Sequence, residues 1–320
     1  GALNLLGGSS TIICSGNIDF SGITFTAGSS IITMQGGSGA KAILSSGQQF
    51  YDLAFNDAGS SWSLSDTLTV KRDLTRAAGT FTHNNKKVII SGANLDSKIS
   101  GAFTFYDFEC ATSAKKLSFS TGLVQTVQGT FTITGAVGYN IKLYGQASPA
   151  QWYINAANSA VNYVNVKDSY AQKTIVPANS VDEGNNTGWV IGGKFTFSAP
   201  ALDTVLSVGT VTSLRWVTDS GITQAKLYYA TNASNLTPTW KPITINPITV
   251  NPNGVATSYD WTVPDDISTD CKIKIVAVID SVESSTLDAL SPAVKIMGAL
   301  SLTYPTAAGV GWPTGVSKNI

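Results

Sequence analysis

Apolar residues in this chain recur at every second position in short runs, and no window of about 11–18 residues carries the spacing of an amphipathic helix. Ile23-Thr24-Phe25-Thr26, Phe103-Thr104-Phe105, Phe131-Thr132-Ile133-Thr134 and Ile141-Lys142-Leu143-Tyr144 are such runs, separated by Gly, Asn and Ser. Alternating runs of β-branched and aromatic residues bounded by turn formers read as half-buried strands, with Thr suited to the outer face. The whole chain is therefore expected to be all-β.

Up to residue 192 the runs belong to degenerate repeats. Phe50-Tyr51-Asp52-Leu53 returns as Phe105-Tyr106-Asp107-Phe108, and Gly79-Thr80-Phe81-Thr82 returns as Gly129-Thr130-Phe131-Thr132, at offsets of 55 and 50. Units of about 50 residues, each holding two coils of about 20–25, suit a solenoid whose coils bury their inward residues only by stacking on neighbours. A right-handed parallel β-solenoid (β-helix) is expected over 1–192. A Thr-rich Greek-key sandwich is the alternative.

Composition supports the stack. Charged residues make up 12% of the 320, about half the usual ~25%. Ser and Thr number 36 each. In a parallel stack, equivalent side chains on successive coils sit about 4.8 Å apart, so like charges repel while Ser, Thr and Asn can form ladders. Lys and Arg balance Asp and Glu at 20 each, and Arg occurs three times (Arg72, Arg76, Arg215). That excludes nucleic acid as a partner, which needs a basic footprint. No apolar run approaches the ~20 residues of a helical membrane span, so no membrane insertion is expected in this segment.

Residues 145–192 read as the end of the stack, with Trp189 covering the last coil so that no sheet edge stays open. Gly192-Gly193 is a hinge. Seven candidate strands follow: Phe195–Phe197, Val211–Val217, Ala225–Ala230, Trp240–Ile245, Thr257–Val263, Lys272–Ile279 and Ala293–Met297. This spacing suggests a β-sandwich over 193–298, with Trp216 and Trp261 in its core. Pro238, Pro242, Pro247 and Pro252 mark an edge or loop, because proline cannot donate to a ladder. Leu300-Ser301-Leu302-Thr303-Tyr304-Pro305 repeats the pattern of Phe195-Thr196-Phe197-Ser198-Ala199-Pro200. Residues 299–320 are therefore expected to begin a further sandwich of a longer, repeat-built parent, or to act as an exchangeable donor strand.

Asp168-Ser169 followed by Gly184-Asn185-Asn186-Thr187-Gly188-Trp189 resembles the close of right-handed β-helix segments in large, repeat-built bacterial surface proteins of the adhesin kind. Trp261-Thr262-Val263-Pro264-Asp265, then Cys271-Lys272-Ile273-Lys274-Ile275, is similar to immunoglobulin-like and fibronectin-III-like modules of such proteins. The inter-sheet disulfide pattern is missing, since Cys271 stands alone. The resemblance implies a non-enzymatic structural or adhesive protein at the cell surface, either a fragment of a larger repeat protein or a filament subunit. Its implied partners are other protein subunits, including further copies of itself, or cell-surface glycans.

Reactive chemistry is sparse, and no catalytic residue is assigned. His83, the single histidine, lies in Thr82-His83-Asn84-Asn85-Lys86, which reads as a solvated turn. Arg72, Asp73 and Arg76, with Asp66 nearby, are the one set that would suit a polysaccharide-cleaving β-helix enzyme, and they read more simply as a surface ion cluster. Calcium is the one cofactor the residues suggest, because it takes six to eight oxygens. Asp182, Glu183, Asn185 and Asn186 offer one such set, and Asp265, Asp266 and Asp270 another. Capped turns are the competing reading of both. For a carbohydrate-binding module, Trp62, Tyr144, Trp152 and Trp240 are the foremost stacking candidates. Tyr51, Tyr106, Tyr139 and Tyr153 are further ones, as is one of Tyr228 and Tyr229, which alternation puts on opposite faces. Cys14, Cys110 and Cys271 lack metal or redox spacing and read as buried small hydrophobes, with a Cys14–Cys110 disulfide as the alternative.

Overall fold

The computed structural model describes residues 2–4 (backbone), 10–218, 222–251 and 254–298. Pro252 and the expected further repeat at 299–320 lie outside the described residues. Among the described residues there is no helix. The chain divides into two compact units at the Gly193–Lys194 junction.

The first unit is a β-solenoid of about eight turns. One face stacks nine parallel strands, from Thr11–Cys14 through Ile31–Met34, Asp52–Phe55, Leu74–Arg76, Ser97–Ser100, Lys116–Phe119, Ile141–Gly145 and Val164–Val166 to Val181–Asp182. A second face runs from Gln49–Phe50 to Asn186–Trp189. A third, of four strands, runs from Ile18–Asp19 to Thr80–Thr82. The strands Val124–Thr134 and Trp152–Asn162 are each 11 residues long. Their pairing shifts register between Val127 and Thr130, where one strand bends from one partner segment to the next.

Register fixes the length of a coil. Ile12 pairs with Ile32, Ile32 with Leu53, Leu53 with Leu74, Leu74 with Ile99, Ile99 with Phe119 and Phe119 with Gly145, so each coil takes 20–26 residues. The last is shorter, with Val166 paired to Asp182. The tetrapeptide recurrences at 50 and 55 residues are therefore not superposed coils. Phe81 pairs with Trp62 on the third face, whereas Phe131 pairs with Phe108 on the second. What recurs is the chemistry of a corner. A Cβ on Gly79 would lie 2.4 Å from the Trp62 ring, and one on Gly129 would lie 2.3 Å from Asp107 Oδ1. Only glycine fits where the previous coil comes this close.

The interior is an aromatic spine. Phe55, Phe81, Phe103, Phe105, Phe108, Phe119, Trp152 and Trp189 follow one another with ring centroids 4.1–6.5 Å apart. Such pairs add about 0.5–1.5 kcal/mol each beyond the area they bury. Trp189 closes the series, and its Nε1 donates to Ser169 Oγ at 2.9 Å. The three thiols are unpaired: Cys110 and Cys271 are buried and Cys14 is half-buried. The alternative of a Cys14–Cys110 disulfide is thereby set aside, since the two cysteines belong to strands of different faces.

The second unit holds two sheets. One has three antiparallel strands: Phe195–Ala199, Val211–Thr218 and Thr257–Thr262. The other has seven, centred on Ser268–Ile279 and Gln224–Ala230, and its one parallel pairing joins Val205–Ser207 to Val294–Met297. Trp261 of the first sheet meets Tyr229 of the second, ring centroids 5.2 Å apart. Trp216 is fully buried. Of the expected strand Trp240–Ile245 only Lys241–Pro242 forms, as an edge strand on Tyr228 and Tyr229. Val282–Leu290, which the sequence reading passed over, pairs with Ser268–Ile279.

Candidate functional site

The solenoid's ionisable residues join coil to coil. Asp52, nearly buried, accepts both Arg72 Nε, at 2.9 Å, and a second guanidinium nitrogen, and also the Asp73 N–H at 2.9 Å. Arg72 stands over the Tyr51 ring. Arg76 donates to the carbonyls of Ala102 and Gly79. Asp66 accepts the Ser45 and Ser46 N–H groups. Two lysines are buried outright. Lys41 donates to Gly36 O, Gly37 O and Ser60 Oγ. Lys115 donates to Lys71 O, Gly92 O and Leu95 O at 2.7–3.1 Å. Burial lowers the Lys115 pKa and raises that of the Cys110 thiol. The Arg72 set thus carries carbonyl and carboxylate ties rather than an open cluster. His83 sits in a tight turn with positive φ at Asn84 and Asn85. Its Nδ1 accepts the Asn85 N–H and its Nε2 faces Gln128 Oε1, each at 3.0 Å.

The predicted stacking and calcium residues separate. Trp62 and Trp152 are fully buried in the spine and offer no ring face to a ligand. Alternation could have shown this, since Trp62 shares its side of the strand with Leu64, and Trp152 shares its side with Ile154. Trp240 is half-exposed, but Lys274 Nζ lies 4.7 Å over its ring and 5.5 Å over that of Tyr228. Tyr229 is buried and Tyr228 is not, as alternation requires. Asp182 holds its own loop, accepting the Gly184 N–H and the Asn186 amide. Asn185 donates to Pro149 O and Asp168 Oδ1, and Asn186 donates to Val166 O. The four proposed calcium ligands do not converge, and no cluster of three or more His, Cys, Asp or Glu suited to a metal occurs among the described residues.

What the structure does bring together is Tyr144 with the last coils of the nine-stranded face. The Tyr144 hydroxyl donates to Glu183, and Asn165 Nδ2 donates to the other carboxylate oxygen of Glu183 at 2.5 Å. Asn140 Nδ2 donates to Asn165 Oδ1 at 2.8 Å, so an amide ladder climbs three coils to the carboxylate. Burial and the bond to Glu183 raise the Tyr144 pKa. Lys116 Nζ lies 5.7 Å over the Tyr144 ring. Beside the ladder, Ala114, Gly138, Tyr139, Asn140, Lys142 and Asn165 line one shallow concavity. Tyr139 is 64% exposed there. A tight reversal, in which Ala136 and Tyr139 exchange backbone hydrogen bonds, presents it. Tyr139 was only a secondary candidate from sequence, because its run does not alternate.

These features define an all-β chain built on a β-solenoid. No protein-family model matches it, and no curated protein matches its sequence. Among solved structures, it is similar at 12% identity and a TM-score of 0.19 to chitinase ChiW from Paenibacillus sp. str. FPU-7, a bacterial cell-surface-expressed multi-modular enzyme. The alignment covers 89% of this chain and 24% of that one, so this chain spans about a quarter of that chain's length. A likeness at that TM-score carries no argument about fold or activity.

Proposed function

We propose that the chain is a non-enzymatic structural and adhesive module of an extracellular surface protein, a right-handed β-solenoid followed by an immunoglobulin-like sandwich. The observation that carries this reading is the use of the solenoid's charges. Asp52, Arg72, Arg76, Lys41 and Lys115 are all engaged in bonds that tie backbone and coils together. Charges committed in this way stiffen a stack and leave no convergent acid, base and nucleophile. Right-handedness follows from the strong general preference of parallel crossovers. The Trp261–Tyr229 contact between two mainly antiparallel sheets supports the sandwich.

The test is to display the chain on a non-adherent bacterium and measure attachment to glycan-coated and protein-coated surfaces, while the purified chain is incubated with soluble polysaccharides. Attachment with unchanged polysaccharide length is expected. Polysaccharide shortening by the purified chain would overturn the reading. Carbohydrate binding is the second reading, favoured by the exposed Tyr139 ring beside two amides and a lysine.

A further inference from the structure

The nine-stranded face breaks the rule that keeps like charges out of a parallel stack. Lys116 and Lys142 are register partners on adjacent strands. They point outward, because Leu117 and Leu143 beside them are fully buried. Lys142 in turn pairs with Asn165, and Lys167 extends the next strand, its N–H donating to Leu143 O at 3.1 Å. None of these three ammonium groups has an ion-pair partner among the described residues. Carboxylates border the patch without neutralising it. Asp73 and Asp96 precede Leu74 and Ser97 on earlier coils, and Glu183, on the last, is engaged by Tyr144 and Asn165. Like charges directly opposite on neighbouring strands are destabilising. Departures of this kind concentrate at functional sites.

The concavity adds what a sugar needs. Tyr139 offers an exposed ring for stacking, and Asn140 and Asn165 offer amide groups to hydroxyls. Lys142, on the same wall, offers a compact, rotatable cation. We propose that this face binds an acidic glycan, a linear polysaccharide carrying carboxylates on its sugar rings. One ring stacks on Tyr139, and carboxylates of successive sugars meet Lys142 and Lys116. The inference rests on the carbohydrate-binding reading and narrows it to one ligand class. Three lysines with no arginine fork suit a polymer held by point charges and ring contact, whereas a nucleic acid would need a wider basic footprint.

The experiment is to titrate the full chain with polygalacturonate, with the same polymer after its carboxyls are reduced to neutral alcohols, and with single-stranded DNA, at low and at moderate salt. Binding to polygalacturonate that weakens as salt screens the lysines is expected. A Lys116→Gln/Lys142→Gln double variant should bind about tenfold more weakly, a loss of about 1.4 kcal/mol. Tyr139→Ala should weaken binding too, with both variants keeping the parent's melting profile. Equal binding of the neutral polymer would overturn the acidic-glycan inference and leave the carbohydrate reading standing. Binding of DNA equal to polygalacturonate, unaffected by Tyr139→Ala, would show plain polyanion attraction and overturn it as well. No binding of either polysaccharide would overturn both.

Discussion

Trp152 stacks on Phe119 with ring centroids 4.1 Å apart and planes 16° from parallel. Phe119 belongs to the nine-stranded face, and Trp152 opens a strand of the second face one coil later. The pair therefore clamps two faces and two coils at once. Trp152→Ala is expected to cost about 3–5 kcal/mol by the loss of buried area and the cavity left behind. Trp261→Ala should cost a similar amount in the second unit. Calorimetry of each variant is expected to show two transitions, with only the one belonging to the mutated unit shifted. A single transition moving as a whole would contradict the two-unit division.

Asp52 accepts three hydrogen bonds, two of them from Arg72. Asp52→Ala leaves a half-buried guanidinium and the Asp73 N–H without their acceptor, at an expected cost of about 2–3 kcal/mol. Asp52→Asn keeps an acceptor and should cost less. Urea denaturation followed on the solenoid's transition distinguishes the two. Equal stability of parent and Asp52→Ala would show that this corner tie contributes nothing.

Gly79 adopts φ +80°, and an added Cβ would meet the Trp62 ring at 2.4 Å and Asp57 O at 2.5 Å. Gly79→Ala should destabilise the solenoid by about 1–3 kcal/mol from overpacking alone, with left-handed backbone strain added. A neutral Gly79→Ala in thermal denaturation would mean that the corner relaxes freely.

The second unit should lose stability at both ends of the pH scale. Bonds from Lys241, then from Tyr229, hold the Asp266 carboxyl below its ordinary value. A depressed carboxylate contributes stability that is present above its unfolded pKa and lost as pH falls through the folded one. Acid weakening is therefore expected below the usual carboxylate range of about 4, and Asp266→Asn should flatten it. Burial, then the bond to Glu283, pushes Tyr228 up to about 12. A raised tyrosine contributes stability that is complete below its unfolded value of about 10 and lost as pH rises through the folded one. Tyr228→Phe should remove part of the decline between those values, read by circular dichroism across the alkaline limb.

The β-solenoid was legible because alternation and low charge are imposed by stacking itself. Its period was not. Corners such as Asp52 and Asp107, and the close approaches at Gly79 and Gly129, impose the same short motifs at different corners, so recurrence at 50 and 55 residues hides coils of 20–26. The candidate site was legible in part. Tyr144 was singled out, but Trp62 and Trp152 were sought on the surface when the leucine and isoleucine two positions on place them inside. The Lys116–Lys142 adjacency depends on the register between distant segments, which no local pattern encodes. The seven-residue loop that carries Tyr139, between Thr134 and Asn140 in neither face, has no periodicity to read.

The central claim is that the solenoid is a load-bearing stack held coil to coil. Single-molecule pulling of the full chain from its two ends tests it most directly. The account predicts repeated steps of one coil each. At about 3.3–3.6 Å per extended residue, a coil releases about 70–90 Å of contour. These steps should be distinct from one larger step for the second unit, and Asp52→Ala should lower the force of the steps around its corner. Release of the whole solenoid in one low-force event, indifferent to Asp52, would contradict it.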